Sequence, residues 1–242
     1  MRAASVGFHC PECVKASGQR VYRPQDLVFQ PRVTITLIAL NVVAYLYQQS
    51  SSTPFNEGVL FGPLVGEGEW WRLVTSAFLH GGIIHIGFNM YLLWMLGRPL
   101  EKAFGTVKYL LLYFTSMFAG AAAVTIFDWG APTLGASGAV LGLAGSMAAV
   151  YFARGADVRQ SPAFTLVLLN LALPLIIPNV SFWGHLGGVV GGGFAALVLV
   201  WLPERHQMPK QLAIPVAFGL MLGFAALGVI GAEANFFQVA LR

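Results

Sequence analysis

Apolar residues run in seven long blocks separated by short polar stretches, at roughly 33–49, 78–96, 109–127, 137–153, 161–178, 183–201 and 214–231. A helix crossing a hydrocarbon core of about 30 Å needs roughly 20 predominantly apolar residues, fewer if it is recessed within a bundle. Each block therefore predicts a membrane-spanning helix, and the expected fold class is an all-α polytopic membrane protein. Composition agrees. Only 10% of the 242 residues are charged, against about 25% in soluble domains, and the mean hydropathy is +0.70. That leaves too little polar surface to coat a water-soluble globule.

The polar stretches sort by charge. Arg98, Lys102 and Lys108 follow the second block, Arg154 and Arg159 the fourth, Arg205 and Lys210 the sixth, and five basic residues precede or open the first. With seven crossings all twelve fall on one side, leaving only Arg72 and Arg242 opposite. The positive-inside rule then predicts a cell-membrane protein with its N-terminus in the cytoplasm and its C-terminus outside. The formal net charge of +4 is explained by this scatter. Without a basic patch interleaved with aromatics it implies no nucleic-acid partner; the partner is the bilayer.

Residues 1–32 are polar, lack the apolar run of a signal peptide, and read as a cytoplasmic tail. Cys10 and Cys13, spaced as CxxC beside His9, supply at most half of a tetrahedral zinc site, and the competing reading is a solvated tail. The longest outer loop, 50–77, contains Trp70-Trp71-Arg72, whose tryptophans suit an interfacial anchor.

Ionisable and amide side chains within apolar blocks are costly and point to function. The second block contains His80, His85 and Asn89, the last two sharing a helical face at i, i+4. The sixth opens Trp183-Gly184-His185, with Gly188 and Gly192 on the face of His185. The fourth opens Gly135-Ala136-Ser137-Gly138, followed by Gly142 and Gly145. Taken singly, Ser137 suits a small-residue packing seam, and His185 and Asn89 suit interhelical hydrogen bonding. The charge-derived topology sets His85, Ser137 and His185 within about two turns of the outer helix ends. Glycine faces on the fourth and sixth helices would allow Ser137 and His185 to meet as nucleophile and general base. The shared depth favours that reading over packing. A metallohydrolase built on His80, His85 and His185 leaves the glycine-rich serine turn unexplained.

These residues resemble the motifs of the rhomboid family of intramembrane serine proteases, in order: Trp71-Arg72, His80 with His85-xxx-Asn89, Gly97-xxx-Glu101-xxx-Gly105, Gly135-x-Ser137-Gly138, and His185-xx-Gly188-xxx-Gly192. The resemblance covers residues 33–202. It implies a rhomboid-like six-helix catalytic core, with 203–242 adding a cytoplasmic loop and a seventh C-terminal transmembrane helix. It further implies a catalytic dyad of Ser137 and His185 with no carboxylate member and no cofactor. The oxyanion would be held by the Ser137 backbone N–H with His85 and Asn89, Gly135 and Gly138 would make room for substrate backbone, and His80 would join this oxyanion and substrate-binding group. Substrates would be transmembrane proteins cut in or beside their spans; the alternative is a non-proteolytic rhomboid-like protein that binds transmembrane clients. Many family members carry an aromatic residue one turn after the nucleophile, stacked on the histidine. Leu141 stands there in this chain, so His185 is expected to be oriented by packing. Glu101 is expected to be structural.

Overall fold

The computed structural model describes residues 2–3, 8–10, 12, 29–178, 180–205 and 207–240. Contacts divide the chain into one unit of residues 1–30 and another of residues 31–242. In the first, Arg2–Ala3 pairs antiparallel with Phe8–His9. Cys13, the side chain of His9, Lys15, Arg20, Arg23 and Arg242 lie outside what is described. Among the described residues no group of three or more His, Cys, Asp or Glu is placed to hold a metal ion.

The second unit is a bundle of apolar helices: α1 (Arg32–Gln48), α2 (Ile83–Phe127), α3 (Ser137–Ala153), α4 (Pro162–Ala172), α5 (Phe182–Ala196) and α6 (Ala213–Ala240). Beyond α5 the chain continues through a π turn, Leu197–Trp201, into Leu202–Glu204. Among the described residues three stretches are long and apolar enough to cross a membrane outright: Ile83–Phe127, Phe182–Glu204 and Lys210–Ala240. Ile83–Phe127 is not one rod. Gly105 sits at φ 72, outside helical geometry, where glycine carries no Cβ penalty. Residues 97 and 109 of a straight helix would stand roughly 18 Å apart. Yet a Cβ on Gly97 would collide with the Tyr109 hydroxyl. The chain thus folds back at Gly105, and α2 consists of two limbs, so the helices named here make seven apolar segments among the described residues.

Several expected boundaries move: α6 runs on to Ala240, past residue 231, α4 leaves α-helical geometry after Ala172, short of 178, and two further boundary changes bear on the site. The loop anticipated at 97–108 contracts to the turn at Gly105, and helix persists past Gly97 because Leu100 and Glu101 are buried there. The Glu101 carboxylate accepts from the backbone N–H groups of Val33 and Thr34 at 2.9 and 2.8 Å and from the Thr34 hydroxyl at 2.7 Å. These are orphan donors of the first turn of α1, whose N-cap residue, Pro31, makes no side-chain cap, so Glu101 caps α1 from a distance. Glu101→Ala strands these donors and should destabilise the fold by about 3 kcal/mol. SDS-titration unfolding checks this, with Glu101→Gln expected to lie between the alanine variant and wild type.

The second boundary is the start of the second crossing, expected at Phe78. Helix begins only at Ile83, after a 3-10 turn at Ser76–Phe78 and Gly82 at φ 154. Here the amide of Gln48 replaces helical pairing: its Nε2 donates to the His80 carbonyl at 2.9 Å, and the His80 N–H donates to Gln48 Oε1 at 3.0 Å. His80 accordingly lies in a loop before α2 and not inside a helix.

A glycine seam draws α3, α5 and the second limb of α2 together. A Cβ on Gly188 would collide with the Gly138 carbonyl, one on Gly192 with the Gly142 carbonyl, and one on Gly142 with Ser116. The Ser146 hydroxyl spans the seam, 2.9 Å from the carbonyls of both Gly142 and Gly192. Helix α6 docks on the far end of α2's second limb. Asn235 Nδ2 donates to the Thr125 carbonyl at 3.0 Å and Trp129 Nε1 to the Ala232 carbonyl at 3.1 Å. Lys108, Arg154, Glu204 and Lys210 line one cleft at the opposite end of the bundle from Ser137.

Candidate active site

Ser137 is the first residue of α3, so its N–H belongs to the helix-terminal donors that have no intrahelical acceptor. The loop leading to it is stitched to the first long loop. Leu60 and Thr133 exchange backbone hydrogen bonds at 2.8 and 3.0 Å, and the Gly135 N–H donates to the Ser76 carbonyl at 2.9 Å. Gly135 has φ 121, a conformation that favours glycine. Space demands glycine there too, for a Cβ would stand 2.8 Å from both Cε1 and Nε2 of His85. His85 thereby packs directly against the nucleophile loop.

The first loop is held in its turn by Arg72, 3% exposed. Its Nε donates to Glu69 Oε2 at 2.6 Å, and its Nη1 donates to the carbonyls of Asn56 and Val59 at 2.8 and 2.9 Å. Trp70 and Trp71 beside it are exposed, as interfacial anchors would be.

His185 lies in the first turn of α5, where Ser181 Oγ accepts from the Gly184 N–H at 3.1 Å and starts the helix as an N-cap. The ring is buried and Ser137 half-buried. His185 Nε2 stands 3.0 Å from Ser137 Oγ, within the 2.6–3.2 Å reach of a nucleophile and its base. The other ring nitrogen, Nδ1, lies 3.1 Å from the backbone carbonyl oxygen of Asn170 in α4. A carbonyl only accepts, so Nδ1 carries the hydrogen and Nε2 presents its lone pair to the serine hydroxyl. This orienting partner is absent from the expectation that packing would hold the ring. A backbone acceptor has no residue-type signature; its one trace in the sequence is Pro174, four residues further on.

The remaining expected site residues group as follows. His85 and Asn89 share the inner face of α2's first limb. Asn89 is buried, and its Nδ2 donates to the His85 carbonyl at 3.0 Å, which occupies one of its two N–H donors. His80 is buried with its ring edge-on to His85 at 5.1 Å between centroids. Gly138 backs onto the Gly184 carbonyl, 3.2 Å from where its Cβ would stand, so it serves helix approach at the level of the dyad. Leu141 is buried one turn below Ser137. Ser137, His185, His85 and Asn89 thus gather at one end of the bundle, His80 borders them, and Cys10 belongs to the other unit.

Residues 67–202 match the family model described as the rhomboid domain. The chain is 34% identical over 220 residues to the rhomboid protease GluP of Bacillus subtilis (strain 168), covering 86% of this chain and 43% of that protein. It is 31% identical over 182 residues to the mitochondrial RHOMBOID-like protein 6 of Arabidopsis thaliana, covering 67% of this chain and 59% of that protein. To rhomboid-like protease 3 of Toxoplasma gondii it is 27% identical over 192 residues, covering 75% of this chain and 72% of that protein. The chain therefore spans about half the length of the first two relatives.

Proposed function

The chain belongs to the rhomboid family, and from that premise we propose that it is an intramembrane serine endopeptidase acting through Ser137 and His185. The observation that carries the reading is the 3.0 Å approach of His185 Nε2 to Ser137 Oγ, in a ring whose Nδ1 is committed to a carbonyl. As Oγ attacks the scissile carbonyl carbon, Nε2 takes its proton. The oxyanion develops at the start of α3, beside the Ser137 N–H and the His85 ring, with the second N–H of Asn89 as a further donor. Pre-placed donors of this kind are worth about 2.7–4 kcal/mol each in the transition state. The imidazolium then protonates the leaving amine. Water, deprotonated by Nε2, attacks the acyl-enzyme, Oγ leaves with that proton, and the new carboxylic acid departs and ionises by giving its own proton to water.

No carboxylate is needed, because the imidazolium keeps its Nδ1–H on the Asn170 carbonyl throughout. Substrates are transmembrane proteins cut in or beside a span. A helical substrate must unwind locally to offer its carbonyl. In this reading residues 33–202 form the catalytic core, 203–242 add the last helix, and 1–32 form a cytoplasmic tail. The dyad end of the bundle faces outside the cell, opposite the basic cleft. Protease protection of a C-terminal tag in intact cells would contradict this orientation.

The test uses purified wild-type protein in liposomes with a single-span reporter. Cleavage at one bond within or beside the span supports the proposal. Stable reporter binding without turnover would replace it with the alternative, a protein that escorts transmembrane clients.

A further inference from the structure

The link between His185 and α4 has a specific cause in the chain. In an α-helix the carbonyl of residue i accepts from the N–H of residue i+4. The ladder of α4 is regular up to Leu173, whose N–H donates to the Leu169 carbonyl. The next donor, to the carbonyl of Asn170, would be residue 174, which is proline and has no N–H. There the α-helix gives way to a 3-10 turn, Leu173–Leu175. A carbonyl freed in this way tilts off the helix axis toward other donors, and left buried without one it would be costly. The donor it meets is His185 Nδ1, at 3.1 Å.

The Asn170 side chain is not the contact. Its Nδ2 turns back along α4 and donates to the Leu166 carbonyl at 2.8 Å. Leu175, which ends the turn, and Ile176, which follows it, are exposed, at 87% and 78%, so packing does not hold either in its present conformation.

We infer that Pro174 is a positioning residue: by withholding its N–H it dedicates the Asn170 carbonyl to His185, fixing the imidazole as the tautomer that accepts the Ser137 proton. The role performed elsewhere by a carboxylate is met by one backbone oxygen on a neighbouring helix. The ring orientation then depends on where α4 lies, so displacement of α4 would release it. This rests on the proposed Ser137–His185 chemistry.

Position 174 is varied in two steps that differ in a single N–H. Pro174→Ala restores a helical donor. Pro174→lactate, introduced by nonsense suppression, has alanine's side chain but an ester oxygen where the N–H would be. The readouts are the rate of Ser137 labelling by a fluorophosphonate and the 15N spectrum of histidine-labelled protein, with the His185 signal assigned by its loss in His185→Gln. Expected for Pro174→Ala are labelling about ten-fold slower, the effect of one hydrogen bond, and a His185 signal moved from the Nδ1–H tautomer to a mixture. Pro174→lactate should label near the wild-type rate with the tautomer retained.

Wild-type labelling and an unchanged tautomer in Pro174→Ala would overturn the inference. So would equal slowing in the alanine and lactate proteins, which would make the ring the important feature instead of the missing donor. If wild-type protein is not labelled at all, it is the serine-protease reading that fails, and the tautomer comparison still decides the link between Pro174 and His185.

Discussion

Replacing Ser137 with alanine removes reporter cleavage, by about 10,000-fold or more, while leaving the protein folded. Losing the nucleophile of a serine hydrolase costs several orders of magnitude in kcat because no neighbouring group can form the acyl intermediate. The structural cost is small. Ser137 is half-buried at a helix start, and the change removes one hydrogen bond, worth about 1 kcal/mol. The measurement is cleavage of a single-span reporter in liposomes alongside SDS-titration unfolding of the same preparations. Residual cleavage within ten-fold of wild type would remove Ser137 from the mechanism, and lost cleavage together with lost folding would reassign it to packing.

Valine at Gly188 should have the next largest effect, through geometry alone. Gly188 touches no reacting atom, yet a Cβ there collides with the Gly138 carbonyl, one residue after the nucleophile. Helices α3 and α5 must separate to admit a side chain, and the 3.0 Å approach of His185 to Ser137 opens with them. Misplacement by about 1 Å can cost 100-fold in rate, so Gly188→Val is expected to lose at least about 100-fold in cleavage. Gly193 supplies the control. It lies on the same helix, so the same substitution changes helix propensity alike, but the nearest seam atom to its Cβ position is the Gly145 carbonyl at 4.0 Å. Gly193→Val should keep cleavage within a few-fold of wild type; an equal loss at both positions would make the presence of valine in this helix, not close approach at Gly188, the cause.

The legible parts of this molecule are those written in residue type and period. Apolar blocks are visible as seven helical segments because lipid-facing and bundle-facing positions alike must be apolar. The seam is visible because only glycine, with no Cβ, permits backbone contact at Gly188 and Gly192. The less legible parts depend on backbone atoms or on distant partners. The late start of α2 follows from the Gln48 amide pairing with both backbone groups of His80, a contact between residues 32 apart. The anticipated loop at 97–108 shrank to one glycine because Glu101 caps α1 and keeps the intervening turns helical. The docking of α6 rests on the Trp129 indole and the Asn235 amide donating to backbone carbonyls, which no hydropathy pattern encodes. The Asn170 carbonyl belongs to the same class, since any residue could supply it, and only the proline four positions later marks it.

The central claim is that Ser137 is a nucleophile activated by His185. Its most direct measurement is mass-spectrometric mapping of the adduct formed by a fluorophosphonate on the purified, folded protein. The account predicts one adduct, on Ser137, lost in Ser137→Ala and strongly reduced in His185→Ala. No adduct on the folded wild-type protein, or an adduct on Ser137 that forms equally fast without His185, would contradict it.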